Sequence, residues 1–288
     1  MIKTEDKYIS LKLTAEKIRK RVIEIIYRAK SGHTGGSLSI IDILTVLYFN
    51  ILRIDPKYPE MPDRDRFILS KGHSVESLFC ILAEAGFLSN DVLMTYGTYK
   101  SKLAGHPTVN VPGIEICSGA LGHGLSVGAG MALSARMDKR DWWVFVLMGD
   151  GEQNEGSVYE AAMAARHYQL DNLIAIIDRN NLQISGNTEN IMTLEPIDKR
   201  WEAMGWEVLK TNGHDIGAIL YAFSLLKIKA GKPHLLIADT IKGKGISFME
   251  NDPKWHHGVP NENQYHLAIK EIDDRIVHLT ALLEQENE

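Results

Sequence analysis

Uninterrupted apolar runs of strand length alternate along this chain with longer segments whose apolar positions recur at helical spacing. The clearest runs are residues 142–147 and 173–177, and similar signals cover residues 66–70, 206–209 and 234–238. A continuous apolar run is typical of a strand that is buried on both faces of a sheet. The pattern therefore predicts five strands.

Helical segments are predicted around these strands. Residues 13–30 have apolar and basic positions at helical spacing, and Gly32 follows as a stop signal. Further helices are predicted at residues 74–85, 159–167 and 216–229. A strand, a helix and a second strand follow one another between residues 142 and 177, so this segment is expected to be a βαβ unit with parallel strands.

Strands that alternate with helices predict an α/β fold in which an open parallel sheet has helices on both faces. No repeat, low-complexity tract or Ser- or Pro-rich linker divides the chain, so we expect one domain over residues 1–260 and a C-terminal helix over residues 261–288. That helix has apolar residues at 4-3-4-3-4 spacing, namely Tyr265, Ile269, Ile272, Ile276, Leu279 and Leu283. Such a seam fits packing on the chain's own domain or on a partner.

The composition narrows the function classes. The chain has 288 residues, 44% of them hydrophobic and 24% charged, which argues against a disordered or fibrous protein. A net charge of −5 provides no basic excess for nucleic acid or a membrane surface, and polar residues interrupt the apolar stretch 37–54, which fits a buried or interface helix better than a membrane span. With two cysteines, Cys80 and Cys117, and no signal-peptide pattern, we expect a cytoplasmic protein.

Polar segments follow the two clearest strands. Gly149-Asp150-Gly151 comes directly after the first, and residues 178–182, Asp-Arg-Asn-Asn-Leu, come after the second. Adjacent parallel strands lie about 4.8 Å apart, so their end loops can converge on one ion. A carboxylate, an amide oxygen and a main-chain carbonyl are ligands that suit Mg²⁺. Gly-Asp-Gly alone would indicate only a turn, but the Asn-Asn loop at this spacing favours a metal site.

Histidine and glycine are repeatedly adjacent in the predicted loops. Six of the eleven histidines adjoin a glycine, namely His33, His73, His106, His123, His214 and His257. Neutral imidazoles can donate to phosphate or substrate oxygens and can move protons. Residues 118–130 contain five glycines, but no clear strand precedes them and no acidic residue follows at the ribose distance, so we do not expect a dinucleotide fingerprint. Close helix packing or approach to a cofactor ring explains these glycines better.

Taken in order, these motifs resemble the transketolase family of thiamine diphosphate-dependent enzymes. Gly149-Asp150-Gly151 followed by Asn180-Asn181 is the thiamine diphosphate signature. The remaining matches, between about residue 10 and residue 265, are residues 31–36, 69–73, 105–107, 119–122, 159–161, 201–206 and 257–260. The resemblance implies the diphosphate-binding domain of the thiamine diphosphate-binding fold.

The resemblance also implies roles for individual residues. The implied Mg²⁺ ligands, with Ca²⁺ or Mn²⁺ able to substitute, are Asp150, Asn180 and the main-chain carbonyl of Leu182. The implied thiamine diphosphate contacts are His73, Gly119, Ala120, Leu121, Gly151, Asn180 and His257. The implied catalytic residues facing the sugar are His33, His106 and His257, and Glu155 would belong to an acidic relay between two active sites.

Some positions depart from the family pattern. Ala120 and His123 stand where proline and glutamine are usual, and we expect a structural or supporting role for His123. His214 precedes a predicted helix and is interpreted as part of a capping turn. His256 lies beside His257. Because Gly258 directly follows His257, we interpret His257 rather than His256 as the family's histidine.

The family's pyrimidine-binding and C-terminal domains have no counterpart in this chain. We therefore expect a subunit of a split transketolase that moves a two-carbon ketol group from a ketose, expected to be a phosphate, to an aldose. Its partner would carry the two other domains, in an assembly of two copies of each subunit. Three alternatives stay open: a transketolase for an unusual ketose such as a sulfonated one, another thiamine diphosphate enzyme such as deoxyxylulose phosphate synthase, and a non-catalytic cofactor-binding partner.

Overall fold

Seven strands and eleven α-helices make up the computed structural model, which describes residues 4–226 and 230–286. The strands are β1 (Arg66–Leu69), β2 (Val144–Gly149), β3 (Leu173–Arg179), β4 (Leu182–Gln183), β5 (Gly186–Asn187), β6 (Glu207–Asn212) and β7 (His234–Asp239). The helices are α1 (Thr4–Ala29), α2 (Thr34–Ser39), α3 (Ile41–Val46), α4 (Val75–Glu84), α5 (Asn90–Leu93), α6 (Gly124–Met137), α7 (Gly156–His167), α8 (Thr188–Ile191), α9 (Ile197–Ala203), α10 (Ile216–Leu226) and α11 (Glu262–Glu286).

Five strands form one parallel sheet in the order β1-β2-β3-β7-β6. All five strands predicted from the apolar runs are present in it, which confirms the α/β fold. β7 pairs with β3 on one side and with β6 on the other, so β6 is an edge strand although it precedes β7 in the chain. β4 and β5 form a separate antiparallel hairpin directly after β3.

The central strands bury both faces. On β3, Ile174 and Ile176 pack into one apolar cluster, whereas Ala175 and Ile177 pack into the other. The first cluster includes residues of α1, α3, α4 and α10, and the second includes residues of α6, α7 and α9. Helices therefore cover both faces of the sheet, as the uninterrupted apolar runs predict.

The C-terminal helix packs against α1 of the same chain in the antiparallel direction. The rings of Tyr27 and Tyr265 stack with centroids 4.2 Å apart, and Lys20 forms an ion pair with Asp273. Ile272, in the middle of the predicted apolar seam, is buried in the first cluster. The seam thus contacts the chain's own domain, while the division of the chain at residue 260 stays a prediction.

Several helix boundaries differ from the predicted ones. α1 begins about nine residues earlier than predicted, and the predicted residues 227–229 of α10 lie outside the described residues. The apolar stretch 37–54 is divided at Ile40 between α2 and α3 and continues as a π-helical turn, Leu47–Ile51. Within residues 4–226 and 230–286, no helix is both long enough and apolar enough to cross a membrane.

Because all five strands of the main sheet are parallel, their carboxyl ends lie along one edge. The segments that leave this edge are residues 70–74 after β1, residues 150–155 after β2, residues 180–182 after β3, residues 213–215 after β6 and residues 240–245 after β7. The last of these, called the 240–245 loop below, is bonded to α2 by the hydrogen bond from Gly243 N to Gly35 O (3.0 Å). This edge collects most of the sequence motifs.

Candidate active site

Five histidine rings cluster at the carboxyl edge of the sheet. His33, which precedes α2, is central: its ring centroid lies 4.6 Å from that of His257, 5.2 Å from His73, 5.7 Å from His256 and 6.2 Å from His106. The fold therefore brings together the four histidines that the resemblance places at the cofactor and the sugar. His256 is an additional member of the cluster.

Burial keeps three of these imidazoles uncharged near neutral pH. Burial, followed by the charges of neighbouring histidines and lysines, lowers the pKa of His33 to about 4. Burial and Lys242 lower the pKa of His256 to about 3, and burial and Lys71 hold the pKa of His73 well below its ordinary value. A neutral imidazole has one donor and one acceptor, which suits hydrogen bonding to hydroxyl, carbonyl and phosphate oxygens.

The predicted metal ligands lie on the neighbouring ends of β2 and β3. The buried Asp150 carboxylate accepts hydrogen bonds from the amides of Gly151 (2.7 Å) and Asn181 (2.6 Å). Asn180 Oδ1 accepts from the amide of Leu182 at 3.1 Å. Asn181 has a left-handed φ of +63°, which asparagine tolerates better than most residues. The bond from Asn181 to Asp150 shows that the two loops converge as predicted.

The donor set and its electrostatics fit a hard divalent cation. Burial and the nearby Asp178 raise the pKa of Asp150 to about 6, so a cation would favour the ionised carboxylate. In the described ranges 4–226 and 230–286, no cluster of three or more His, Cys, Asp or Glu side chains is arranged to hold a metal. A cation here would depend on carboxylate, amide and carbonyl oxygens, completed by phosphate and water, and this is the coordination that Mg²⁺ favours.

Lys242 is a buried cation that sequence reasoning missed. Its Nζ donates to the carbonyl of Leu182 (3.1 Å) and lies 2.9 Å from His256 Nδ1, and both of these partners are uncharged. Burial and the nearby Lys71 lower its pKa to about 8. An ammonium group whose direct partners are neutral can pair with an anion such as a diphosphate. The sequence did contain one signal for this role: Lys242 follows the predicted strand β7, so it lies at the same edge of the sheet as Asp150 and Asn180.

A second buried lysine is neutralised within the protein. Lys71 Nζ forms an ion pair with Asp178 and also donates to the carbonyl of Gly36 at 3.0 Å. The Asp178 carboxylate further accepts hydrogen bonds from Ser39, Thr240 and Asn180. Burial alone would raise the pKa of Asp178, but Lys71 and these donors hold it below its ordinary value. Asp178 therefore links four segments of the site.

The glycine-rich segment 118–124 lies against the histidine cluster. Gly119 has a φ of +159°, and a Cβ there would lie 3.0 Å from His106 Cδ2. Gly122 has a left-handed φ of +82°, and a Cβ there would lie 2.6 Å from Glu155 Cβ. Ala120 and Leu121 lie between these glycines. Side chains at either glycine would therefore displace residues for which the sequence predicts a role.

Glu152 ties three site segments together. Its buried carboxylate accepts hydrogen bonds from the Ser70 hydroxyl and from the amides of Gly122 (2.8 Å) and Gly149 (3.0 Å). Sequence reasoning missed this role because three donors from three different segments become visible only in the folded chain.

Glu76 anchors His33 in a similar way. The carboxylate is completely buried and accepts from the amide of His33 (3.0 Å), the hydroxyl of Ser37 (2.8 Å) and the hydroxyl of Tyr96 (2.7 Å). Burial raises the pKa of Glu76, while these donors oppose the rise. Glu76 thereby holds the segment that presents His33, a role that its place on α4 does not indicate.

Two other predicted residues are exposed. Glu155 precedes α7, and His123 precedes α6 with its Nδ1 2.9 Å from the carbonyl of Leu121. His214 lies in the turn that precedes α10, as predicted: its amide donates to Asn212 Oδ1 (2.9 Å), and Asp215 accepts from the α10 amide of Ala218 (3.1 Å). Sequence reasoning missed the contacts of the His214 ring, which bonds Asp42 and Ile241. The ring points towards the site-bearing 240–245 loop because β6 and β7 are neighbours.

Comparisons with known proteins agree with this geometry. Residues 10–272 match the family described as transketolase, thiamine diphosphate binding domain. The chain is 55% identical over 278 residues to one of the subunits of the apulose-4-phosphate transketolase of Phocaeicola vulgatus, covering 96% of this chain and 98% of that protein. It is 39% identical over 269 residues to the 6-deoxy-6-sulfo-D-fructose transketolase subunit SqwG of a Clostridium species, covering 93% and 98%.

Solved structures show the same fold. The transketolase of Leishmania mexicana superimposes with a TM-score of 0.84 at 27% identity, covering 96% of this chain and 46% of that one. The transketolase of Campylobacter jejuni superimposes with a TM-score of 0.82 at 31% identity, covering 95% and 48%. The chain thus spans slightly less than half of these solved transketolase chains.

Proposed function

This chain belongs to the transketolase family and matches its thiamine diphosphate-binding domain, and on this basis we propose that it is the diphosphate-binding subunit of a two-subunit transketolase. One arrangement supports this function most strongly: the buried Asp150 and Asn180 lie at the same sheet edge as the cluster of histidines around His33. Such a site combines oxygen ligands for a cation with neutral hydrogen-bonding groups for a sugar.

The cofactor would be held mainly by residues after β1, β2, β3 and β7. In this proposal Mg²⁺, or Ca²⁺ or Mn²⁺ in its place, binds Asp150, Asn180 and the carbonyl of Leu182, and the diphosphate meets His73, Gly151 and Lys242. Gly119, Ala120 and Leu121 line the thiamine. When bound, thiamine diphosphate supplies the nucleophilic carbon and the electron sink for ketol transfer.

The histidines would orient the sugar and hold its protons. Ketol transfer removes a proton from a donor hydroxyl and returns a proton to the acceptor aldehyde oxygen. Because burial keeps His33 neutral with a pKa of about 4, it is a weak base and is better suited to accepting a hydroxyl hydrogen bond than to removing the proton completely. We assign His106 and His257, which are exposed at the mouth of the cluster, to the sugar's other oxygens.

A partner subunit would complete the site. Two relatives of nearly the same length are named subunits of transketolases, whereas the solved transketolase chains are about twice as long as this chain. We therefore propose a partner with the pyrimidine-binding and C-terminal domains. We propose an assembly with two copies of each subunit, in which the outer surface of α6 and α7 is an interface between subunits. Val127 and Met163 are exposed on this surface, and Gly130 faces open space there. Glu155 lies at the start of α7 on this surface and would join the acidic relay.

The proposed substrates are a ketose phosphate donor and an aldose acceptor in the cytoplasm. Relatives named for apulose 4-phosphate and for 6-deoxy-6-sulfo-D-fructose favour testing both kinds of ketose. The decisive experiment measures ketol transfer with thiamine diphosphate and Mg²⁺ by the full chain alone and after mixing with the candidate partner. We expect turnover in the mixture and none by the chain alone. Robust turnover by the chain alone would contradict a two-subunit enzyme, and cofactor binding without turnover in any mixture would support the non-catalytic alternative.

A further inference from the structure

The 240–245 loop is held by side chains that lie behind the cofactor site. Its amide at Ile241 donates to His214 Nε2 (2.8 Å), and its carbonyl at Lys244 accepts from Arg19 Nε (3.1 Å). On its other side, Gly243 N donates to Gly35 O (3.0 Å). These bonds come from the end of β6, from α1 and from α2, so the loop is clamped between three separate elements.

Three of the residues behind the loop form a continuous chain of contacts. Arg19 Nη2 donates to Asp42 Oδ2 at 3.2 Å, and Asp42 Oδ2 lies 2.8 Å from His214 Nδ1. Arg19 is 2% exposed and Asp42 is 8% exposed, so both charges are buried. Burial would raise the pKa of Asp42, but Arg19 and His214 hold it below its ordinary value. Asp42 is therefore a stable acceptor for His214.

The two neighbours of the His214 ring define its tautomer. The Ile241 amide can only donate, so Nε2 must be the unprotonated nitrogen. Nδ1 then carries the proton and donates it to Asp42. The His214 backbone is fixed as well, because its amide donates to Asn212 Oδ1 at 2.9 Å. The ring and the backbone of His214 are thus each bonded to a residue outside the loop, Asp42 and Asn212.

The 240–245 loop places Lys242 at the candidate active site. Lys242 follows Ile241 directly, and its Nζ reaches Leu182 O and His256 Nδ1. The next residue must be glycine, because Gly243 has a φ of +81° and a Cβ there would lie 2.2 Å from Met249 O. A displacement of the Ile241 amide would therefore displace Lys242.

We propose that Arg19, Asp42 and His214 form a positioning relay that fixes the 240–245 loop and so sets the Lys242 ammonium for the cofactor diphosphate. The relay deepens the proposed function and rests on it, since the diphosphate is the ligand that Lys242 would meet. None of the three relay residues is among those proposed to contact the cofactor. They act through the backbone of the loop, as residues behind metal ligands do.

Two substitutions of His214 distinguish a role in positioning the 240–245 loop from a general contribution to the stability of the fold. His214→Leu removes both hydrogen bonds, whereas His214→Gln keeps a carbonyl oxygen for Ile241 and an NH₂ group for Asp42. The matched control is Asn172→Leu, which removes the buried bonds from Asn172 Nδ2 to Ala132 O (3.1 Å) and Trp142 O (3.4 Å) at the opposite end of β3. Each leucine variant loses two side-chain hydrogen bonds, which are partly buried at His214 and buried at Asn172, but only His214 contacts the loop.

Hydrogen–deuterium exchange on the full chain without cofactor gives the first readout. We expect the peptide that contains residues 240–245 to exchange at least about fivefold faster in His214→Leu, because the Ile241 amide loses its acceptor. The same peptide should exchange at the wild-type rate in Asn172→Leu. Equal rates for this peptide in His214→Leu and wild type would overturn the relay, whatever the chain's function.

Calorimetric titration of Mg²⁺ and thiamine diphosphate into the reconstituted complex gives the second readout. We expect the Kd for the cofactor to rise about 10- to 100-fold in His214→Leu and by less than about threefold in His214→Gln, the range known for residues that orient ligands from behind. The KM for the ketose at saturating cofactor should stay within about twofold. A Gln variant as weak as the Leu variant, or an equal loss in Asn172→Leu, would contradict the relay. A wild-type complex that binds no cofactor would instead contradict the proposed function.

Discussion

The carboxyl edge of the sheet and the middle of the same sheet bury opposite kinds of side chain. At the middle of β3, the apolar side chains of Ile174, Ile176 and Ile177 are fully buried. Only a few residues further along, Asp178 is equally buried but carries a charge, and Asp150 beside it is 1% exposed. Burying apolar groups stabilises a fold, whereas burying charges costs free energy unless they are paired. The two regions therefore have different roles: the side chains in the middle of the sheet stabilise the fold, and those at the carboxyl edge form the candidate active site.

Asp150→Asn should impair the function of the carboxyl edge without destabilising the middle of the sheet. The variant removes the ionisable ligand of the proposed metal site, so we expect cofactor-dependent turnover of the reconstituted enzyme to fall roughly 1,000-fold. Burial and Asp178 raise the pKa of Asp150, and Arg179 keeps its ion pairs with Glu189 and Glu195 when its pair with Asp150 (3.3 Å) is lost. The cofactor-free variant should therefore be about as stable as the wild type near pH 7. Turnover and the urea midpoint are the measurements. Full turnover, or a large loss of stability, would show that Asp150 is structural.

Ile176→Ala should destabilise the middle of the sheet without impairing cofactor binding at the carboxyl edge. Removing this buried side chain should lower the free energy of unfolding by about 2–5 kcal/mol. Cofactor affinity, measured at a temperature where the variant is folded, should remain within about twofold. The control is Ile191→Ala, which removes a side chain that is 48% exposed and should cost less than about 0.5 kcal/mol. A large change in cofactor affinity in Ile176→Ala would show that the two regions are coupled.

Glu76→Gln tests a buried carboxyl group that supports the edge without lying on it. The amide keeps one acceptor for the His33 amide but meets the donors Ser37 and Tyr96 less well than a carboxylate does. We expect kcat to fall about tenfold, while the Kd for thiamine diphosphate stays within about twofold. Calorimetry and steady-state kinetics separate these outcomes. An unchanged kcat would mean that the anchor of His33 needs no charge.

The smallest expected effect is a pH dependence of stability. His33 has a pKa of about 4 in the folded chain and about 6.5 when unfolded, so the unfolded chain binds more protons between these values. Its contribution to folding stability should therefore decline as the pH falls from about 6.5 towards 4. Asp150 acts in the opposite direction, so the test compares wild type with His33→Asn by urea unfolding at pH 7 and pH 5. The variant should lose less stability than the wild type, and equal losses would contradict the assigned protonation state.

Local pattern is sufficient where the information lies within one segment. The runs at residues 142–147 and 173–177 predict β2 and β3 because burial on both faces requires apolar residues at every position. Helix ends are less accurate: the periodic signal for α1 begins at residue 13, but the helix begins at Thr4. Terminal turns depend weakly on sequence, so such differences are expected.

Residues far apart in the chain are harder to relate. Asp42 and His214 are bonded across 172 positions, and no spacing rule joins them. The contact between His256 and Lys242 escapes prediction for a similar reason, since it depends on how the 240–245 loop meets the turn Pro253–His257. The resemblance located four histidines of the cluster, but it assigned no role to the residues that hold them.

The sequence was sufficient to predict the strands, the layers and the Gly-Asp-Gly and Asn-Asn loops, because periodicity and turn chemistry are local properties of the chain. It also determined the family, through an ordered series of motifs. The folded chain was needed to show that β7 lies between β3 and β6, and that His214 therefore bonds the loop from which Lys242 reaches Leu182. Buried side-chain hydrogen bonds depend on distances between distant segments, and those distances exist only after the chain has folded.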